Sequence, residues 1–82
     1  MPPVRNEVYR RLRPLLAESL GVDEEEITLD THVFDDLNAD VIEFHDEVIP
    51  LIEEEFEVKI DDEDVADLAT VRELVEYLVE NT

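Results

Sequence analysis

Apolar residues recur at three- and four-residue steps along the chain, which is the spacing of amphipathic helices. The first such stretch predicts a helix from about Val4 to Leu20. Gly21 follows it, at the place where a left-handed C-terminal cap is favoured. Pro14 cannot donate to the carbonyl of Arg10, so we expect a kink there or a later start of the helix. The predicted apolar stripe comprises Val4, Val8, Leu12, Leu15, Leu16 and Leu20.

The second periodic stretch predicts a helix that opens at Asp40, whose carboxylate can cap the free backbone amides. Pro50 interrupts the middle of this helix and lacks the amide that would bond to the Asp46 carbonyl. The residues predicted to face the core are Val41, Phe44 or His45, Val48, Ile49, Ile52 and Phe56.

The C-terminal part of the chain predicts two further helices. Asp61 is placed to cap a brief helix that holds Val65 and Leu68. Thr70 and Glu73 have the spacing of a capping box, which predicts the start of the last helix. Its inward residues are predicted to be Val71, Leu74, Val75, Leu78 and Val79.

A long connection, residues 22–39, separates the first two helices and carries many apolar residues. It is predicted to be an ordered loop pinned across the core, with one helical turn, rather than a flexible linker. The predicted fold class is therefore all-α, a four-helix bundle with a long ordered loop between helices one and two and a short third helix. At 82 residues the chain is expected to form one domain, 1–82.

Net charge is the feature of composition that most restricts the possible partners of the chain. Twenty-five acidic residues against six basic ones give a formal net charge of −19. Such a chain repels phosphate backbones and anionic lipids, so neither nucleic acid nor membrane is expected as a partner. Basic surfaces of partner proteins and nonspecific divalent cations are the expected ligands. With no apolar run long enough to span a membrane or target the chain, a cytoplasmic location is expected. The chain is also expected to be a monomer.

The residue types present give little support for catalysis or for a specific metal site. The chain has no cysteine, and its one serine, Ser19, has no base beside it in sequence, so no catalytic residues and no enzyme activity are predicted. Two histidines thirteen positions apart, His32 and His45, lack a metal-ligand spacing. The window Asp36, Asn38, Asp40 and Glu47 has EF-hand spacing. Its sixth position, where that motif needs glycine, is the β-branched Val41, and no metal site is predicted.

Several segments together resemble the acyl carrier protein family. They are Leu20-Gly21-Val22, the acidic run 23–26 with Ile27-Thr28, the stretch 33–40 (Val-Phe-Asp-Asp-Leu-Asn-Ala-Asp), the segments 53–56 and 60–63, and Ala69-Thr70-Val71-Arg72-Glu73. The resemblance implies a small acidic four-helix bundle and partner enzymes or assembly factors of lipid or polyketide biosynthesis. In that family an Asp-Ser-Leu motif opens helix two, and its serine carries 4′-phosphopantetheine.

The matching tripeptide here is Asp40-Val41-Ile42. Alignment backward from Phe56 suggests one extra residue in helix two, which would put Ile42 at the serine position, and a π-bulge near Pro50 would absorb that residue. Neither side chain has a hydroxyl, so no cofactor is expected, although 4′-phosphopantetheine is expected of the family.

The predicted function is that of an acidic, acyl-carrier-like binding module that docks on basic patches of partner enzymes. Two alternatives remain: a conventional acyl carrier role in fatty-acid-type biosynthesis, and noncovalent binding of a fatty acyl chain in the bundle interior. The residues predicted to contact a partner are Asp35, Asp36, Asp40, Glu43, Glu47 and Glu54.

Overall fold

A computed structural model describes residues 4–81 of the chain. Within that range the protein is all-α, as predicted, and its only β-type pairing is an isolated bridge between His32 and Thr70. We number the helices α1 (Arg5–Leu20), α2 (residues 41–56), α3 (Asp62–Val65) and α4 (Val71–Asn81). The second helix is continuous but has three segments, an α-turn at Val41–Glu43, a π-helical segment at Phe44–Val48 and an α-helix at Ile49–Phe56.

The first helix runs without interruption past Pro14, so the expectation of a later start is wrong. Pro14 is exposed to solvent, where water can satisfy the carbonyl that loses its partner. The helix ends as predicted at Gly21, which has φ 68° and donates its amide to the Ala17 carbonyl. Only a residue without a Cβ adopts this left-handed conformation at no cost.

The core lies between α1, α2 and α4. Leu12, Ile52 and Leu74 have no exposed surface, and each comes from a different one of these helices. Burying such side chains contributes roughly 1.5–3 kcal/mol each relative to exposing them. Ile27 and Val33, from the long connection, are also fully buried.

The connection between α1 and α2 is an ordered segment, as predicted. It contains one 3-10 turn, Glu24–Glu26. Backbone hydrogen bonds fix it to the start of α4: the Val33 amide donates to the Ala69 carbonyl at 2.8 Å, and the Val71 amide to the Thr31 carbonyl at 3.0 Å. The loop is therefore held by both its apolar anchors and a backbone seam.

Of two helix caps predicted in the C-terminal part of the chain, one is present in the structure and the other is not. Thr70 and Glu73 form the expected capping box, with the Thr70 hydroxyl accepting from the Glu73 amide at 3.2 Å and a Glu73 carboxylate oxygen accepting from the Thr70 amide at 3.0 Å. The prediction that Asp61 caps α3 through its carboxylate is wrong. Its backbone carbonyl, and not its side chain, accepts from the amides of Asp64 and Val65.

No helix in the described range is both long enough and apolar enough to cross a membrane.

Candidate functional site

The turn that leads into α2 is fixed by hydrogen bonds around His32. The Asp36 carboxylate accepts from the His32 amide at 2.8 Å, and the Asp35 amide donates to His32 Nδ1 at 3.0 Å. Asn38 then takes φ 56°, a left-handed conformation that asparagine tolerates better than most residues. These contacts set the direction in which the chain enters α2.

Asp40 caps α2 as predicted. Its Oδ1 atom accepts from the amides of Ile42, at 2.8 Å, and Glu43, at 3.3 Å. Val41 is thus the first helical residue; as a whole residue it is 63% exposed, and Ile42 is 71% exposed. The prediction that Val41 belongs to the buried stripe is wrong, because the first turn of α2 borders an open groove and not the core.

The π-helical segment of α2 lies directly before Pro50. The Ile49 amide donates to the Phe44 carbonyl, five residues back, so this segment holds one residue more than an α-helix would. Pro50 consequently falls in the first turn of the following α-helical segment, where a missing amide is tolerated. Of the two predicted candidates for the core, Phe44 is fully buried and packs edge-to-face on Phe34 at 5.3 Å.

An apolar groove lies between the start of α2 and α3. We call it the Val41 groove; it has a volume of about 500 Å³. Its apolar lining consists of Phe34, Val41, Ile42, Val65 and Ala66. Its polar lining consists of His45, Asp46 and Asp62, so no lining residue has a hydroxyl or a thiol. Sequence analysis missed this groove; the only local signal was an apolar pair directly after the capping aspartate.

His45 bridges α2 and α3 at the edge of the Val41 groove. Its Nε2 atom lies 2.8 Å from Asp62 Oδ1, and its Nδ1 atom lies 3.5 Å from Asp46 Oδ1. The hydrogen bond to Asp62, followed by that to Asp46, raises the pKa of His45 above its ordinary value. The His45 side chain is half-buried.

The six acidic residues predicted to contact a partner are all exposed, but they do not form one cluster. Asp40 and Glu43 share the first turn of α2, and Asp35 and Asp36 lie in the turn before it. Glu54 lies fourteen residues along the helix from Asp40, about 20 Å away at 1.5 Å per residue. It lines a different groove, with Leu15 of α1.

Three of the four arginines near the N-terminus have internal hydrogen-bond partners. Arg5 donates to a Glu76 carboxylate oxygen at 2.7 Å, and Arg11 donates to the Glu55 carbonyl at 2.7 Å. Arg13 donates to the carbonyls of Ile27 and Glu24. These contacts tie α1 to α4, to the C-terminal end of α2 and to the 3-10 turn, and none of them involves a residue that lines the Val41 groove.

No group of three or more metal-ligating side chains occurs in the range 4–81, and the two histidines have separate carboxylate neighbours. The exposed carboxylates remain available for loose contacts with divalent cations, which we retain as a prediction.

Comparison with known proteins places this helical bundle in the carrier-domain class. The family model described as the phosphopantetheine attachment site matches residues 10–78. The acyl carrier protein of Clostridium perfringens strain 13 is 40% identical over 75 residues, which cover 92% of this chain and 97% of the relative. That of Thermotoga maritima is 38% identical over 74 residues, 90% of each chain.

The solved structure of the acyl carrier protein from Enterococcus faecalis, described for its high thermal stability, superposes with a TM-score of 0.80 at 31% identity. The match covers 98% of this chain and 100% of that one. The chain therefore belongs to the acyl carrier protein family, whose members carry acyl groups to partner enzymes and are not themselves enzymes.

These matches correct the expectation that no cofactor belongs to this protein. The matched family is defined by attachment of 4′-phosphopantetheine, so that group is the cofactor of the family to which the chain belongs. The residues at the expected position do not fit the covalent link, however. Val41 and Ile42 present hydrocarbon only, and a phosphodiester requires a hydroxyl oxygen.

Proposed function

We propose that this protein is an acyl-carrier-type docking protein in which Val41 occupies the position of the family's attachment serine. The observation that carries the proposal is the geometry of the start of α2. Asp40 caps the helix and Val41, the first helical residue, exposes its side chain to solvent. A serine at this position would present its hydroxyl in the same accessible place, whereas valine offers no atom for phosphodiester formation.

The π-helical segment supports Val41 over Ile42 as the equivalent position. The additional residue suggested by alignment from Phe56 has to be accommodated somewhere in α2. The π-helical segment, Phe44–Val48, holds one extra residue and lies after both candidates. The start of the helix therefore keeps the family's spacing, in which the attachment residue directly follows the capping aspartate.

The distribution of charge supports docking on basic surfaces of partner enzymes. Three of the four arginines of α1, namely Arg5, Arg11 and Arg13, form hydrogen bonds within the protein, while Glu43 and Glu47 are exposed on α2. Long-range attraction by a chain of net charge −19 speeds encounter with a basic partner and weakens as salt is added. The proposed contact residues are Asp35, Asp36, Asp40, Glu43, Glu47 and Glu54.

Acyl carrier proteins act with biosynthetic enzymes, and we propose partners of the fatty-acid or polyketide type, or their assembly factors. The proposal further includes a single domain over residues 1–82, a monomeric state and a cytoplasmic location.

Restoring the hydroxyl tests the proposal. Purified wild-type protein, Val41→Ser and Ile42→Ser are each incubated with coenzyme A and a phosphopantetheinyl transferase, and their intact masses are measured. We expect modification of Val41→Ser alone. Both positions are exposed, so neither change should disturb the fold. Modification of Ile42→Ser but not Val41→Ser would assign the other register.

A conventional acyl carrier role is the second candidate, and the match to the attachment-site family favours it. It requires a covalent link at some other residue of this chain. Modification of the wild-type protein in the same assay, or an added phosphopantetheine mass on protein from the native host, would establish this role and overturn the proposed loss of the site.

A further inference from the structure

We infer that a groove between α1 and the C-terminal half of α2 is a second docking site, which binds a basic segment of a partner protein through an apolar side chain. We call it the Leu51 groove; it has a volume of about 610 Å³. The inference rests on the proposed function and deepens it, because it adds a contact surface that includes α1. The residues that line the groove are Leu15, Glu18, Ser19, Leu51, Glu54 and Glu55.

The Leu51 groove is separate from the Val41 groove. The two grooves share no lining residue, and Leu51 lies nine residues along α2 from Ile42, about 13 Å at 1.5 Å per residue. Only the Leu51 groove includes residues of α1, namely Leu15, Glu18 and Ser19. A short segment bound there would therefore leave the start of α2 uncovered.

The apolar part of the groove comes from two leucines, one on each helix. Leu51 is 46% exposed and is the only exposed leucine among residues 4–81. Leu15 is partly buried against the core. The free energy gained by covering such side chains is proportional to the apolar area removed from water, and a recess removes more of that area than a flat surface does.

All of the charged residues that line the Leu51 groove are acidic. Glu18 and Glu54 are exposed, and within residues 4–81 neither carboxylate has a hydrogen bond or an ion pair. The third, Glu55, has a basic neighbour, since its Oε1 atom lies 3.6 Å from an Arg11 nitrogen. Two carboxylates of the groove are thus uncompensated, and their charge favours a cationic occupant.

Arg11 holds together the two helices that form the groove. Its guanidinium group donates to the Glu55 carbonyl at 2.7 Å and lies 4.6 Å from the centre of the Phe56 ring. These contacts fasten α1 to the last turn of α2. The walls of the groove are therefore in place before a partner binds, which reduces the free energy spent on ordering the site.

The apolar and acidic parts of the groove together select one class of occupant. A segment with arginine or lysine beside an apolar side chain would place the apolar group against Leu51 and its cation near Glu18 and Glu54. A second copy of the chain is disfavoured, because it brings another net charge of −19. An anionic lipid surface is repelled in the same way.

The test selects a displayed library of random peptides on the purified full-length protein and measures the affinity of the selected peptides for four variants. Leu51→Gln removes an apolar side chain of the groove, and Ile42→Gln is its control at the exposed start of α2. Glu18→Gln removes a carboxylate of the groove, and Glu7→Gln is its control, an exposed carboxylate of α1 outside the groove. Circular dichroism checks that each variant remains folded.

We expect one group of selected peptides to combine arginine or lysine with an apolar residue and to depend on both walls of the groove. Leu51→Gln should weaken their binding about fivefold or more. Glu18→Gln should weaken it about threefold or more. Ile42→Gln and Glu7→Gln should each change it by less than about twofold, since neither residue lines the groove.

Basic peptides that bind Leu51→Gln and Glu18→Gln as tightly as wild type would overturn the inference and leave the proposed docking surface on α2 intact. If Leu51→Gln does not fold, Glu18→Gln decides the question by itself. Peptides weakened equally by Ile42→Gln and Leu51→Gln would indicate one continuous surface and would also overturn the second site.

Failure to select any basic peptide would contradict the docking proposal as well as the inference. Self-association of the wild type in sedimentation, abolished by Leu51→Gln, would assign the groove to a second copy of the chain and overturn the inference.

Discussion

At the scale of single residues, His45 is the side chain whose surroundings most affect its chemistry. It joins the π-helical segment of α2 to α3 through Asp62 and also faces Asp46. Because both neighbours are carboxylates, the protonated imidazole is favoured in the folded chain and its pKa is raised. Arg5 provides a comparison, since its pairing with Glu76 lowers the pKa of that carboxyl group.

We predict that His45 stabilises the fold in a pH-dependent way. A raised folded-state pKa means that the stabilisation is fully present below the unfolded value of about 6.5 and is lost as pH rises through the folded value. Urea unfolding of wild type and His45→Gln from acidic to mildly alkaline pH measures it. The wild type should be the more stable at the acidic end, and the two should converge at the alkaline end.

Asp62→Asn is the matched variant for this measurement. In its background, replacement of His45 should have a smaller and less pH-dependent effect, because the carboxylate that bonds most strongly to the imidazole has lost its charge. A difference between wild type and His45→Gln that stays constant with pH would show that the imidazole acts by packing and not by charge.

At the scale of elements, α2 shows how a π-helical segment sets which residues of a helix face the core. The segment holds one residue more than an α-helix would, and Phe44 and Val48 both reach the core while Pro50 lies in the first turn of the α-helical segment that follows. The cap at Asp40 then fixes where the helix starts, and with it the placement of Val41. The helix start is therefore decided by a few hydrogen bonds in its first turn.

Replacing the two predicted capping aspartates, Asp40 and Asp61, should lower the free energy of unfolding only where the carboxylate caps the helix. Asp40→Ala removes the acceptor for two amides and should cost about 1 kcal/mol of unfolding free energy. Asp61→Ala removes no side-chain cap bond and should change it by less than about 0.5 kcal/mol. Both variants lose one negative charge, so the change in net charge cancels in the comparison. Equal losses in urea titrations would contradict this assignment of the caps.

At the scale of the whole molecule, charge is unevenly compensated. Ion pairs connect Arg5 to Glu76 and Arg72 to Asp30. Two of the basic side chains therefore hold α4 to α1 and to the connection between α1 and α2. Only Lys59 and Arg72 of the six basic residues lie after Gly21, whereas twenty-three of the acids do. The folded chain therefore brings many carboxylates close together.

We predict that added salt raises the melting temperature, because screening reduces repulsion among the carboxylates. Each kcal/mol gained corresponds to roughly 4–8 °C for a domain of this size. Thermal unfolding in sodium chloride, and in magnesium chloride at equal ionic strength, measures the effect, and magnesium should act more strongly if cations contact the carboxylates directly. A melting temperature independent of salt would indicate that repulsion is already compensated within the fold.

The positions of most helices and of several helix caps could be predicted from the sequence alone. Helix periodicity, the glycine after α1, the Thr70–Glu73 capping box and the cap at Asp40 are local features, and each depends on residues within about one helical turn. The resemblance to acyl carrier proteins and the absence of a hydroxyl at positions 41 and 42 were likewise readable from the chain. Local chemistry was sufficient for these conclusions because neighbours in sequence supply the interactions.

The tertiary structure decided what depends on residues distant in sequence. Periodicity allowed either Phe44 or His45 in the core, and packing against Phe34 buries Phe44 while Asp62 holds His45 at the edge. The same periodicity placed Val41 inside, yet α3 leaves a groove beside it and the side chain stays exposed. The exposure of a residue depends on which elements approach it, and a periodic pattern contains no information about that approach.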